Sequence, residues 1–176
     1  MLALKKAIAL ILAMIAQQQA EMKDFKPLGQ ITGSDTSVEQ PMAVMAADQR
    51  QLNDIWRRHK DLSDELPGGL TVPIIDSSIP TVDFKKNIVI AFFAGQTTGI
   101  AGYSIARIDI KGKTAIVRLA PQPFPGISMS VSNTYGMWVF PRPTKAIELE
   151  MITGFNRGQP VIRKIARFEA PKKPSS

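Results

Sequence analysis

Residues 88–94 read IVIAFFA, seven apolar residues without a polar break. A run of that length predicts a central strand buried on both faces, because a strand facing water on one side would alternate. Around it the chain from Asp83 onward reads as β structure. Tyr103–Ile110 and Thr114–Leu119 are predicted strands, joined as a hairpin through Lys111-Gly112-Lys113. Residues 95–102, GQTTGIAG, read as a glycine-rich turn, and Pro121, Pro123 and Pro125 as stops to regular pairing. Tyr135–Phe140 is a further strand. Ile147, Leu149 and Met151 alternate with Glu148 and Glu150, the pattern of a half-buried strand. Asn156-Arg157-Gly158 is a turn signal, and Val161–Phe168 returns beside the preceding strand with Glu150 opposite Arg163 or Lys164. Leu149 and Met151 would then share the core with either Val161 and Ile165 or Ile162 and Phe168.

Upstream of the strands stands one helix, from about Asp48 to Lys60. Asp48 is placed to cap it, and Gln51 follows at capping-box spacing. Leu52, Ile55, Trp56 and His59 share one face and predict packing on a sheet. A short strand is expected near Leu28–Thr32, and another, an edge strand, at 71–75 within the long connector 61–83. The expected class is therefore α+β: a mainly antiparallel sheet or sandwich with one covering amphipathic helix, after an N-terminal signal peptide.

The signal-peptide reading rests on residues 1–20, MLALKKAIALILAMIAQQQA. Lys5 and Lys6 precede the apolar stretch 7–16, which is too short to span a bilayer and suits a secretory segment. Ala16 and Ala20 are the candidate cleavage points, and an uncleaved anchor is the alternative. The organisation expected is a leader at 1–20, an N-terminal segment with short strands at 21–47, one α+β domain at 48–170, and a frayed tail at 171–176. The protein is expected to be exported, periplasmic or extracellular.

Composition narrows the chemistry. The 176 residues hold no cysteine and one histidine, which excludes disulfides, thiolate metal sites and cysteine nucleophiles. The net charge of +7 falls to about +5 without Lys5 and Lys6, and the C-terminal region carries much of the excess. His59 sits on the apolar stripe and reads as a packed residue with no nucleophile to activate. Glu148 and Glu150 read as the outer face of an amphipathic strand. The GQTTGIAG loop has neither the lysine of a P-loop nor a following helix, so it does not predict a phosphate site. No metal, cofactor or nucleic-acid partner is expected, and the chain is read as a non-enzyme. Aromatic bulk on both faces of residues 135–140 fits a buried strand. The alternative is an exposed recognition face, for which Phe124, Tyr135, Trp138 and Phe140 are the candidate interaction residues.

Residues 82–103, the helical Trp56 and the downstream PQPFPG together resemble the PrcB family, the C-terminal domain of a protease-complex accessory subunit. The resemblance covers about residues 80–140. It is carried by Asp83, Phe84, Gly95, Gly99, Gly102, Tyr103, Pro123 and Pro125, with Trp56 as the helical tryptophan. Ile100 and Ala101 break the glycine pair expected before Tyr103. The resemblance implies structural roles for Trp56, Asp83, Phe84, Gly95, Gly102 and Tyr103. It also implies a protein partner, such as an exported protease that the module binds and stabilises. A second reading has the basic tail dock on anionic envelope polymers or lipid head groups, so that membrane contact is limited to the leader and weak electrostatics.

Overall fold

The computed structural model describes residues 25–61, 79–126 and 130–171. The leader, the edge strand expected at 71–75 and residues 172–176 of the tail lie outside the described residues.

Among the described residues, eight strands and one helix follow in the order β1 (Gly29–Gly33), β2 (Met42–Ala46), α1 (Gln49–Lys60), β3 (Asn87–Thr98), β4 (Ile100–Lys111), β5 (Thr114–Pro123), β6 (Val131–Pro141), β7 (Ala146–Asn156) and β8 (Gln159–Phe168). They form two four-stranded sheets, β1-β6-β3-β2 and β4-β5-β7-β8. The sheets pack face to face, and α1 covers the other face of the first. The fold is thus a β-sandwich with one covering helix, and the two short strands of residues 21–47 are integral to its first sheet.

This layering explains the IVIAFFA run. Ile88, Ile90 and Phe92 project into the core between the sheets, with Trp138 and Phe140 from β6 and Val117, Leu119, Ile147 and Leu149 from the second sheet. Val89, Ala91 and Phe93 project the other way, against Leu52, Ile55 and Trp56 of α1, joined by Tyr135 and Met137. Strand alternation sends successive side chains to opposite faces, and both faces of this sheet are covered, so every position is apolar. The helix forms as its sequence predicts. Asp48 Oδ1 accepts a 2.8 Å hydrogen bond from Gln51 N–H, and Gln51 Oε1 accepts one of 2.7 Å from Ala47 N–H. All four residues of its predicted stripe are buried. It ends at Asp61 in the left-handed conformation, φ 54°, whose N–H bonds the Arg57 carbonyl.

Several local expectations are corrected. Residues 95–102 are not a loop: β3 continues to Thr98 and β4 starts at Ile100. Gly95 is a bulge in the β3–β6 ladder, with φ 71°, and the chain changes sheet at Gly99. A side chain at Gly95 would collide with the Glu39 carbonyl, so only glycine fits. Pro121 lies within β5, whereas Pro123 is its last residue. Phe124 N–H bonds Gly99 O, so by alternation the missing donors at 121 and 123 fall on the opposite edge. On that edge β7 pairs with β5 only as far as Leu119, so no ladder bond is lost.

The strands are not all consecutive hairpins. β4–β5 and β7–β8 are, but β5 and β7 run parallel because β6 intervenes in the other sheet. Both hairpins turn over two residues rather than three. In the second, Arg157 and Gly158 have φ of 49° and 78°, the signature of a type I′ turn. Glu150 pairs with Lys164, one of its two expected partners. Neither predicted apolar set is realised whole. A bulge makes Ile165 the extra residue between Lys164 and Ala166, so Ile165, Ala166 and Phe168 reach the core while Val161 and Ile162 stay exposed.

Candidate functional site

The sequence-predicted interaction residues are mostly core. Trp138 and Phe140 are fully buried between the sheets, Tyr135 is buried beneath α1, and Phe124 is half-buried. These aromatics therefore offer no continuous recognition face, because the covering helix and the second sheet occupy both sides of β6.

The positions implied as structural make distinct contacts. Trp56 is buried in the helix–sheet cluster, and Phe84 packs partly against it. Asp83 shapes the entry to β3. Its Oδ1 accepts from Lys85 N–H at 3.1 Å, and its carbonyl accepts from Asn87 N–H at 2.9 Å. Tyr103 is buried against Phe92 in an edge-to-face contact at 5.0 Å, and burial raises its hydroxyl pKa. Gly102 allows β4 to approach Thr32, whose Oγ1 occupies the space a side chain would need.

A polar cluster closes the end of α1. His59 lies 4.3 Å from the Tyr135 ring and 5.3 Å from that of Trp56. The Tyr135 hydroxyl hydrogen-bonds Asp35, and Lys60 pairs with Asp35 at 3.5 Å. Gly33 leaves room for that contact, since a Cβ there would sit 3.0 Å from Asp35 Oδ1. Burial, reinforced by Lys60, lowers the His59 pKa to about 4; burial, with Asp35 beside it, pushes Tyr135 up to about 12. Near neutral pH the imidazole is uncharged and the phenol keeps its proton. Together these groups pack the end of the helix against β6. Sequence reading placed His59 in the packing but not Asp35 and Tyr135 beside it, which β1–β6 pairing brings together across about 100 residues.

The second sheet carries a different surface. Its outer face holds a line of charge across four strands. Arg118 bonds Asp109 and Glu150, each at 2.8 Å, and Lys164 bonds Glu148 at 2.9 Å. Lys164, followed by the more distant Arg167, holds the Glu148 carboxyl below its usual range. Glu150 stands on the outer face as read, and it is buried there beneath this network. Alternation points it outward, and Arg118 and its neighbours then cover it.

Beyond this network the sheet narrows to two strands. β5 accompanies β7 only to Met151, so, among the described residues, 152–162 form a β7–β8 arm without a third strand beside it. Phe155 near its tip is 72 % exposed, and Val161 and Ile162 are exposed on β8. Cross-strand pairing sets Phe155 with Pro160 and Ile152 with Ile162, which gathers these four on one face, while Val161, paired with Gly154, stands on the other. Residues 152–168 contain Arg157, Arg163, Lys164 and Arg167 and no acid. Arg163 opens on the opposite face, into a cleft of about 290 Å³ shared with Met42, Ala43 and Phe92. Sequence reading predicted the hairpin but not the exposure of its apolar residues, because exposed and core apolar residues look alike in a strand.

Among the described residues no group of three or more metal-ligating side chains converges, and no helix is long and apolar enough to cross a membrane. No family model, curated protein or solved structure matches the chain.

Proposed function

We propose that this protein is an exported, non-enzymatic binding module that engages another protein through the β7–β8 arm. The observation that carries this reading is the arm itself. A two-stranded ribbon exposing Phe155, Val161 and Ile162 gains no core stability from them. Clustered exposed apolar residues rimmed by charge are the usual composition of a docking surface. The signal-peptide reading of residues 1–20 places the partner outside the cytoplasm. The PrcB-like stretch at 80–140 makes an exported protease, bound and stabilised by this module, the first partner to examine.

The excess positive charge supports a second reading, in which the arm and basic C-terminal region dock on anionic envelope polymers or lipid head groups. Cross-linking in intact cells, followed by purification of the full chain, separates the two. A stoichiometric protein adduct that is lost in Phe155→Ser/Ile162→Ser supports protein binding. Retention on anionic polymer that salt reverses, with no protein adduct, supports the second reading. An adduct unchanged in the double variant removes the arm from the proposal.

A further inference from the structure

β8 is the last strand of its sheet, and among the described residues no strand pairs with its outer edge. An unpaired edge presents backbone donors and acceptors to any extended segment that can lie along it. Pro160 lacks a donor and marks one end of the usable edge, leaving residues 161–168, roughly 27 Å of strand. The side chains flanking it are of two kinds. Val161 and Ile162 are exposed and apolar, whereas Arg163, Lys164 and Arg167 are cationic. Lys164 and Arg167 stand on the outer face beside Glu148, and Arg163 stands on the inner face in the cleft beside β2.

We propose that β8 takes up an extended, acidic segment of the partner protein as an added strand. This rests on the protein-binding reading and specifies its chemistry. Main-chain hydrogen bonds along 161–168 supply affinity, and carboxylates on the incoming strand meet the cations on both faces. Apolar residues of the segment cover Val161 and Ile162. A second copy of this chain fits the edge poorly. Antiparallel pairing of two β8 strands sets cations against cations, and like charges directly opposite oppose pairing. A lipid surface fits poorly too, because it would meet one face of the ribbon while the cations divide between two.

The test uses the full mature chain and three blocked eight-residue peptides. One combines valine and threonine with glutamates placed on both of its strand faces, one carries lysine for every glutamate, and one is the glutamate peptide with a central proline. The glutamate peptide is expected to bind, to weaken with added salt, and to slow amide exchange at residues 161–168. The lysine and proline peptides should bind at least roughly tenfold more weakly, through reversed charge and a missing backbone donor respectively. Arg163→Glu should weaken the glutamate peptide roughly three- to tenfold at an unchanged unfolding midpoint. Equal binding of the glutamate and lysine peptides, or no protection at 161–168, overturns strand addition. So does protection of that edge by dimerisation in sedimentation, or by vesicles of phosphatidylglycerol and phosphatidylcholine alone. If peptides fail while the cellular adduct still depends on Phe155 and Ile162, strand addition is wrong and the binding reading stands. If the adduct no longer depends on them, that reading itself is wrong.

Discussion

Thr32 on β1 accepts a 2.9 Å hydrogen bond at Oγ1 from the backbone N–H of Tyr103 on β4. The two residues belong to different sheets, so this bond ties the sandwich together at its margin. The same hydroxyl donates to the Tyr135 carbonyl at 3.0 Å, which fixes its rotamer. Gly102 makes the approach feasible, because a Cβ there would overlap Thr32 Oγ1. Gly102→Ala is therefore expected to destabilise by about 1–3 kcal/mol, the usual cost of overpacking. Thr32→Val, which removes the acceptor of the Tyr103 N–H, should cost a similar ~1–3 kcal/mol. Denaturant midpoints of both variants check this; an unchanged midpoint in Gly102→Ala would show that the sheets separate freely here.

Acid should weaken the helix–sheet contact through His59. Its folded pKa of about 4 lies below the ordinary 6.5, so the unfolded chain takes up the proton first. Stability from this group is fully present above about pH 6.5, declines as pH falls toward 4, and is lost below that. The full change is about 3 kcal/mol, at about 1.4 kcal/mol per pKa unit. Asp35, Lys60 and Tyr135 face the same pocket in both proteins. The informative quantity is thus the difference between the protein and His59→Leu. The variant should lose about 3 kcal/mol less than the parent between pH 7 and pH 4. Parallel curves would mean that the imidazole is hydrated in the folded state.

What could be read from sequence followed from local physics. Asp48 with Gln51, the Leu52–His59 stripe and the Asn156–Gly158 turn each specify their element within a few residues. Ile88–Ala94 declared a strand covered on both sides. The division into two sheets could not be read, because Gly99 looks like any turn glycine and the partner of β3 lies some 40 residues away in β6. The β5–β7 parallel pairing depends on that division and was hidden with it. The exposed apolar residues of the arm were hidden for another reason. Two bulges in β7–β8 break the alternation that would have assigned either Val161 or Ile162 to the core, and bulges carry no signal in the residue types here. Tyr135, Trp138 and Phe140 drew attention as aromatics, yet a doubly covered strand needs bulk on both faces.

Arg118 should be costly to remove. It bridges Asp109 and Glu150, and both acids are largely shielded from solvent on the outer face of the second sheet. Without the guanidinium, Glu150 loses its bonded cation and Asp109 keeps only the more exposed Arg107, at 2.6 Å. Arg118→Met is expected to destabilise by about 3 kcal/mol at pH 7, near the lower end for a broken buried pair. Replacing Asp109 and Glu150 by apolar residues as well should restore most of that loss, since it is the stranded charge that costs. Chemical denaturation of the single and triple variants checks both halves. A single variant as stable as the parent would mean that water screens the network.

The last prediction concerns the turn that carries the arm. A type I′ turn needs positive φ at both central residues, and here Arg157 takes 49° and Gly158 takes 78°. Glycine accepts this without strain, whereas a long side chain with a Cβ is forced toward the following carbonyl, a conformation disfavoured by about 1–2 kcal/mol. Asparagine tolerates the left-handed region better, and Asn-Gly is the preferred pair for this turn. A cap of tertiary contacts does not explain the arginine, since it is exposed at the end of a two-stranded ribbon. Arg157→Asn should therefore stabilise the protein by about 0.5–1 kcal/mol, and exchange of amides between Phe155 and Pro160 should slow more than exchange in β5. If Arg157 contributes charge to docking, the same variant will bind its partner more weakly despite its more ordered arm. A stabilised arm with unchanged binding would assign recognition to β8 and the apolar face alone, and a destabilised arm would show that the turn is not of the I′ type.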